Sequence, residues 1–122
     1  MVKTVKDPLV SKLTKTLKSK KAQNIVVLDM RETGQNVCDF FVICHGTSRT
    51  QVEAIADAVE EKVLKASGIK PRYREGFHNA EWILLDYFDV VAHIFQEKYR
   101  NFYQLENLWA DAEIKQFDSE SN

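Results

Sequence analysis

The chain has 122 residues, of which 44% are apolar and 29% charged, and its 17 basic and 18 acidic residues leave a net charge of −1. This length suits one domain, and the apolar share excludes wholesale disorder and low-complexity classes. No apolar run approaches the roughly 20 residues that cross a bilayer, and no secretory signal is visible, so no membrane association is expected. Two cysteines, Cys38 and Cys44, are too few for a disulfide framework. We therefore expect one cytoplasmic domain over residues 1–122 with reduced thiols and flexible ends at 1–7 and 118–122.

The charge is distributed unevenly along the chain. Residues 1–23 carry a net charge of +6, whereas the remainder carries −7. A solvated lysine face on an amphipathic helix explains this excess, and so does a basic arm that makes a minor contact with RNA. Both interpretations stay open, and both concern the same side chains: Lys3, Lys6, Lys12, Lys15, Lys18, Lys20 and Lys21.

Hydrophobic periodicity indicates a helix followed by two strands in the first part of the chain. A leucine at every fourth position predicts an amphipathic helix from about Pro8 to Lys20, with the proline in the first turn. Two short apolar runs follow, at 25–28 and 40–44, and the second is typical of a central strand that is covered on both faces.

The segment after the second strand predicts a long helix with clear ends. Ser48 and Gln51 match a capping box, in which each side chain reaches a backbone N–H of the other. Gly68 provides a left-handed stop. Between them, apolar residues recur at helical spacing: Val52, Ile55, Ala56, Val59 and Val63.

The last third of the chain predicts three strands and one or two short helices. Residues 71–77 resemble an edge strand, and the apolar runs 82–85 and 90–95 are joined by four residues, which favours a hairpin. Short helices follow from Lys98 onward. The predicted fold is α/β, with the order α-β-β-α-β-β-β-α and a mixed five-stranded sheet flanked by helices. A parallel crossover is expected through the helix that begins after Ser48.

Catalytic motifs are missing from the sequence. It contains no dinucleotide-binding, Walker or nucleophile-elbow motif and no Cys-x-x-Cys pair. Cys44 and His45 are neighbours, but adjacent strand residues point to opposite faces, so they make a poor nucleophile–base pair. His93 lies in an apolar strand, where a core or surface histidine is commoner than a ligand. We predict no catalytic residue, no metal site and no cofactor.

Aromatic residues are concentrated in the second half of the chain. Of the 13 aromatic residues, 11 lie between residues 73 and 117. In the strand at 82–85 both faces are apolar, with Trp82 and Leu84 on one face and Ile83 and Leu85 on the other. If the long helices crowd one face of the sheet, the other face exposes a Trp/Tyr/Leu surface, which usually binds a protein. Core packing and a docking surface both remain open from composition.

The same segments resemble the ribosomal silencing factor (iojap-like) family. The similarity extends from about residue 25 to residue 112, and Phe88 departs from it, since the family usually has glycine there. Five stretches at the family's spacing carry the resemblance: Gly46-Thr47-Ser48, Ala54-Ile55-Ala56, Glu81 to Tyr87, Asp89 to Phe95 and Arg100 to Ala112.

The resemblance implies a nucleotidyltransferase-like fold that has lost the activity of that superfamily. It also implies binding to the large ribosomal subunit through ribosomal protein fourteen, on the face that meets the small subunit. Occupation of that surface blocks subunit joining and represses translation when nutrients are short. Organellar relatives assist ribosome assembly, and family members are often dimers, so an assembly role and a homodimer are further expectations.

We predict that the contact surface consists of the hairpin and of the helix after it. The hairpin provides its apolar centre, and Asp86 provides a charged or polar contact that sets the register of the partner. The helix extends the surface. The predicted contact residues are Trp82, Leu84, Asp86, Tyr87, Tyr99, Arg100 and Tyr103.

Two alternative functions remain open. A small nucleotidyltransferase-like enzyme would place phosphate near Ser48 and a metal on Asp86 or Asp89, because helix N-termini bind phosphate. An RNA-binding module would act through the N-terminal lysines alone.

Overall fold

The computed structural model describes residues 7–32, 38–108 and 113–116. The predicted α/β fold and its order of elements are confirmed. One strand that was not predicted, β6, extends the sheet at the edge beside β1. The ends expected to be flexible are 1–7 and 118–122; residues 1–6 and 118–122 lie outside the described residues, whereas Asp7 is described and caps the first helix. In chain order the elements are α1 (Pro8–Ser19), β1 (Gln23–Asp29), β2 (Phe40–Gly46), α2 (Arg49–Ser67), β3 (Tyr73–Glu75), β4 (Trp82–Asp86), β5 (Val90–Gln96), α3 (Glu97–Tyr103), α4 (Leu105–Leu108) and β6 (Glu113–Gln116).

The sheet is mixed, with the strand order β3-β4-β5-β2-β1-β6. β2 pairs in parallel with β5, and the remaining described pairs are antiparallel. β3 and β5 both run antiparallel to β4, so they are parallel to each other. Because β5 is also parallel to β2, β3 is parallel to β2. The connection from β2 through α2 to β3 is therefore the expected parallel crossover, and it passes over β5 and β4 before reaching the sheet edge.

The helix ends follow from local capping chemistry. Asp7 precedes α1 and its carboxylate accepts from the backbone N–H groups of Leu9 at 2.9 Å and Val10 at 3.1 Å. Ser48 caps α2 by accepting from Gln51 N–H at 3.1 Å, as predicted. The Gln51 side chain accepts from Thr47 N–H at 2.7 Å instead of returning to Ser48. Gly68 adopts a φ of 73° and ends α2.

The long helices α1 and α2 pack on one face of the sheet, which we call the α1–α2 face. Its buried core includes Leu13 and Ile55 from the helices and Val42, Ile83 and Ala92 from the strands. The opposite face, which we call the α3 face, is covered in the described part of the chain by the short helices α3 and α4, from which Leu105 is buried. No helix among the described residues is long and apolar enough to span a membrane. The unequal cover of the two faces decides where an apolar surface is left accessible.

Candidate docking surface

The strand register brings the predicted contact residues of β4 onto the α3 face. Trp82 pairs with Phe95 across the antiparallel β4–β5 ladder, and Leu84 pairs with His93. Since paired residues in a ladder project to the same side, these four side chains form two adjacent rows. Trp82 and Leu84 are half-buried against the core of this face. The predicted alternation of Trp82 and Leu84 against the intervening apolar residues is confirmed.

Aromatic neighbours hold the Trp82 ring. Its indole stacks on Phe95 with ring centroids 4.9 Å apart and an interplanar angle of 25°. Tyr103 of α3 contacts the same indole at 5.1 Å. Such pairs contribute about 0.5–1.5 kcal/mol each beyond the area they bury. Trp82 is therefore fixed by packing while part of its surface stays accessible.

Helix α3 adds the remaining rings. Tyr99 and Tyr103 are four residues apart and so share one helix face, and Tyr99 packs against the α3-face core. Phe102 is 76% exposed and its ring meets that of Tyr103 edge-on at 5.1 Å. Hereafter, the aromatic surface denotes the five side chains Trp82, Leu84, Tyr99, Phe102 and Tyr103.

A buried histidine lies below this surface. The indole N–H of Trp82 donates to Nδ1 of His93 at 3.0 Å. Nε2 of His93 is buried and has no hydrogen-bond partner among the residues that the structure describes. Burial lowers the pKa of His93 to about 3, so the imidazole is neutral at physiological pH. The prediction of a core histidine rather than a ligand agrees with this placement.

Tyr87 does not lie on the surface where we predicted it. Its ring packs in the core of the α1–α2 face and is 6% exposed. Burial raises the pKa of its phenol, whose oxygen has no hydrogen-bond partner in the described part of the chain. The tight turn after β4 reverses the chain direction. Phe88 projects outward there instead of Tyr87, with 62% exposure and a φ of 79°. The hairpin therefore exposes Phe88 and buries Tyr87.

Asp86 keeps a polar role, but its partners belong to this chain. Its carboxylate accepts from the Phe88 backbone N–H at 2.8 Å and pairs with the Arg72 guanidinium at 3.3 Å. The guanidinium of Arg72 also lies 4.4 Å from the centroid of the Phe88 ring. Asp86 thus fixes the turn and lies at the rim of the α3 face, where it is half-buried.

Arg100 is committed inside the protein rather than directed at a partner. It is 5% exposed and donates to the Asn24 carbonyl at 2.7 Å, to His45 Nδ1 at 3.0 Å and to Glu106 at 2.8 Å. It lines a polar cavity of about 470 Å³ between α3, α4 and the start of β1. The expectation that Arg100 extends the contact surface does not hold, because each of these bonds ties two elements together.

The residues of the enzymatic alternative lie far apart. Ser48 follows the carboxyl end of β2, whereas Asp89 precedes β5. In the parallel β2–β5 ladder Phe40 pairs with Val90 at one end and Gly46 with Gln96 at the other, a length of about 20 Å at 3.3 Å per residue. Ser48 is also occupied in capping α2. The described residues contain no group of three His, Cys, Asp or Glu side chains placed to hold a metal.

The two cysteines are packed thiols, as expected. Cys38 is half-buried and Cys44 is buried, and neither forms a disulfide. Burial raises the pKa of both thiols to about 12, which suppresses the reactive thiolate. Cys44 lies in the core of the α1–α2 face, whereas His45 contacts Arg100 on the other side. The predicted divergence of Cys44 and His45 is confirmed.

Sequence reasoning left Phe102 and His93 out of the contact surface. The signal for Phe102 was present, since a short helix that carries Tyr99, Phe102 and Tyr103 cannot bury three rings on one side. His93 could have been paired with Trp82 only through the strand register, because the two residues are 11 positions apart and meet diagonally across the ladder.

The described residues form an α/β module with a partly exposed aromatic surface on the sheet face opposite α1 and α2. Residues 3–122 match the model of the family described as ribosomal silencing factor during starvation. The ribosomal silencing factor RsfS of Bacillus subtilis is 43% identical over 99 residues, 81% of this chain and 82% of that protein. That of Halalkalibacterium halodurans is 45% identical over 93 residues, 76% and 78% of the two chains. A crystal structure of a Chromobacterium violaceum protein superposes with a TM-score of 0.78 at 30% identity, covering 91% of this chain and 88% of that one. The chain belongs to the ribosomal silencing factor family.

Proposed function

We propose that this protein is a cytoplasmic translation repressor that binds the large ribosomal subunit through ribosomal protein fourteen. Its bound position blocks joining with the small subunit, above all under nutrient limitation. The family supports ribosome-directed regulation, and the resemblance of residues 25–112 suggests the partner. The observation that carries the proposal is the aromatic surface on the sheet face that α1 and α2 leave free.

The aromatic surface has the properties of a binding centre. Trp82 and Tyr103 are fixed by ring contacts before any partner arrives, so docking costs little side-chain entropy. Phe102 is largely exposed and gains most from being covered. Loss of a good aromatic anchor weakens protein binding by about 2 kcal/mol or more. A modest interface suffices, because steric exclusion of the small subunit requires no chemistry from this chain.

The charge of the chain fits a basic partner. Residues 24–122 carry −7, and complementary charge raises the rate of encounter with a basic ribosomal protein. The same charge opposes binding of that part of the chain to bare RNA. The lysine side chains of α1 that are exposed, Lys12 and Lys15, lie on the helix that packs against the other sheet face. A minor RNA contact through the N-terminal lysines is therefore proposed on the side away from the aromatic surface.

A homodimer through the aromatic surface would compete with ribosome binding. We propose that the monomer is the form that docks, and that any dimer formed by this face dissociates on the ribosome. Sedimentation of the free protein and of its Trp82→Ala variant separates these states, since only a dimer that uses this face is lost in the variant.

Co-sedimentation with isolated large and small subunits, followed by a subunit-joining assay, tests the proposal. Wild-type protein is expected to pellet with large subunits alone and to reduce joining. Leu84→Ala weakens both effects, whereas Leu64→Ala is the matched control, because Leu64 is an exposed leucine of α2. Tyr87→Ala is unsuitable, since it opens a cavity in the core.

Three outcomes would contradict the proposal. The first is unchanged repression by folded Trp82→Ala and Leu84→Ala proteins. The second is equal losses with Leu84→Ala and Leu64→Ala, which would place the contact elsewhere. The third is joint sedimentation with small subunits, which would remove the assigned partner.

A further inference from the structure

The hydrogen bond between Trp82 and His93 accounts for features of the α3 face that packing alone leaves unexplained. The indole N–H donates to Nδ1 at 3.0 Å, so Nδ1 carries no proton and Nε2 carries it. Nε2 is buried and has no hydrogen-bond partner within the described ranges of the chain. A buried N–H without an acceptor costs about 1–3 kcal/mol. An apolar side chain at this position would avoid that cost, since Phe41 and Ile43 of the neighbouring strand are apolar and buried.

The gain that offsets this cost lies at Trp82. The indole is in contact with Phe95 on one side and Tyr103 on another, and His93 is the acceptor that fixes the direction of its N–H. Trp82 is half-buried, so ring packing holds the indole in place while the hydrogen bond to His93 sets the direction in which its N–H points. The imidazole itself is wedged against Phe41, with ring centroids 4.6 Å apart and an angle of 71°, and so cannot follow a moving indole.

We propose that His93 is a positioning residue, which fixes the Trp82 indole in the aromatic surface and withholds its N–H from the docking partner. The ribosomal protein then meets ring carbons at Trp82 and must offer an aliphatic or aromatic side chain, rather than a hydrogen-bond acceptor. This inference rests on the proposed function for its partner, and on the geometry above for the role of His93.

Two nearly isosteric replacements separate positioning from packing. His93→Asn retains an acceptor at the place of Nδ1, whereas His93→Leu introduces a side chain of similar volume that has no acceptor. Accordingly, His93→Leu is expected to be as stable as the wild type or more stable, yet to bind large subunits about fivefold to tenfold more weakly. His93→Asn is expected to be less stable but to keep most of the affinity. Trp82→Phe, which has no N–H, is expected to retain more affinity than Trp82→Ala.

A readout without the ribosome tests the first half of the inference. In ¹H–¹⁵N spectra of the full chain, the Trp82 indole resonance is assigned by its absence in Trp82→Phe. We expect its solvent exchange to be slow in the wild type and in His93→Asn, and about tenfold faster in His93→Leu.

An indole resonance in His93→Leu that matches the wild type in shift and exchange would overturn the positioning role. Equal affinity losses in His93→Asn and His93→Leu would overturn it as well. If the wild type binds no large subunits although its indole exchanges slowly, the proposed function fails, and the inferred partner chemistry fails with it. The slow exchange would still confirm the hydrogen bond between Trp82 and His93. The two failures are thereby distinguished.

Discussion

Arg100 in α3 donates a hydrogen bond of 2.7 Å to the carbonyl oxygen of Asn24, which lies 76 positions earlier and is the second residue of β1. The same guanidinium reaches His45 at the end of β2 and Glu106 in α4. One buried cation therefore joins the helices that carry part of the aromatic surface to the centre of the sheet. Its role is the placement of α3, and through α3 the placement of Tyr103 beside Trp82.

Replacement of Arg100 by methionine should destabilise the fold. The change leaves the Asn24 carbonyl and the partly exposed Glu106 carboxylate without the buried cation that they contact, which costs about 1–3 kcal/mol. Urea unfolding, monitored by circular dichroism, measures this loss of stability. Arg49→Met is the control, because the Arg49–Glu53 pair is exposed and is expected to contribute under about 1 kcal/mol. Equal effects of the two replacements would contradict the structural role of Arg100.

Acid should destabilise the protein through its buried histidines. Burial lowers the pKa of His93 to about 3 and also lowers that of His45, which Arg100 depresses further while Glu97 and Glu106 oppose the shift. Below about pH 6.5 the unfolded chain binds protons that the folded chain refuses, so stability falls as the pH falls. The contribution of His93 is up to about 1.4 kcal/mol per pH unit between about pH 6 and pH 4.

Urea midpoints measured from pH 7.5 down to pH 4.5 test this dependence. His93→Leu should reduce the dependence of the unfolding free energy on pH by the equivalent of about one bound proton. His78→Leu is the control for the loss of an exposed histidine, and the slope of His93→Leu is compared with the slope of that variant. An unchanged slope in His93→Leu would show that the imidazole is not held neutral by burial.

The turn between β4 and β5 should prefer glycine at position 88. Phe88 adopts a φ of 79°, which is strained for a residue with a Cβ atom. Phe88→Gly is expected to be about 1 kcal/mol more stable than Phe88→Ala, because both remove the contact with Arg72 and only glycine relieves the backbone. Thermal unfolding of the two variants measures the difference. A more stable alanine variant would exclude a left-handed conformation at this residue.

Two exposed phenylalanines should differ in their effect on ribosome binding. Phe102 is part of the aromatic surface, whereas Phe88 follows the other end of β4. Phe102→Ala is therefore expected to weaken co-sedimentation with large subunits about tenfold or more, the loss of one anchor, and Phe88→Ala to leave it unchanged. Equal losses would extend the contact surface along the whole of β4 and would contradict its assigned limits.

The sequence by itself determined the order of the elements up to α4, the ends of both long helices and the alternation within β4. These features depend on interactions between near neighbours, such as the Ser48 cap, the left-handed stop at Gly68 and the period of two along a strand. The resemblance of residues 25–112 added the family. β6 was not foreseen, because its pairing with β1 joins segments far apart in the chain.

Only the tertiary structure decided which rings face outward. Tyr87 and Phe88 are adjacent, and a single left-handed residue in the turn buries the first and exposes the second. Arg100 looks like a contact residue in a Tyr-Arg-Asn-Phe-Tyr helix until the fold brings Asn24, His45 and Glu106 around it. Burial depends on which elements pack together over long sequence separations, and the packing of both long helices on one face leaves the aromatic surface on the other.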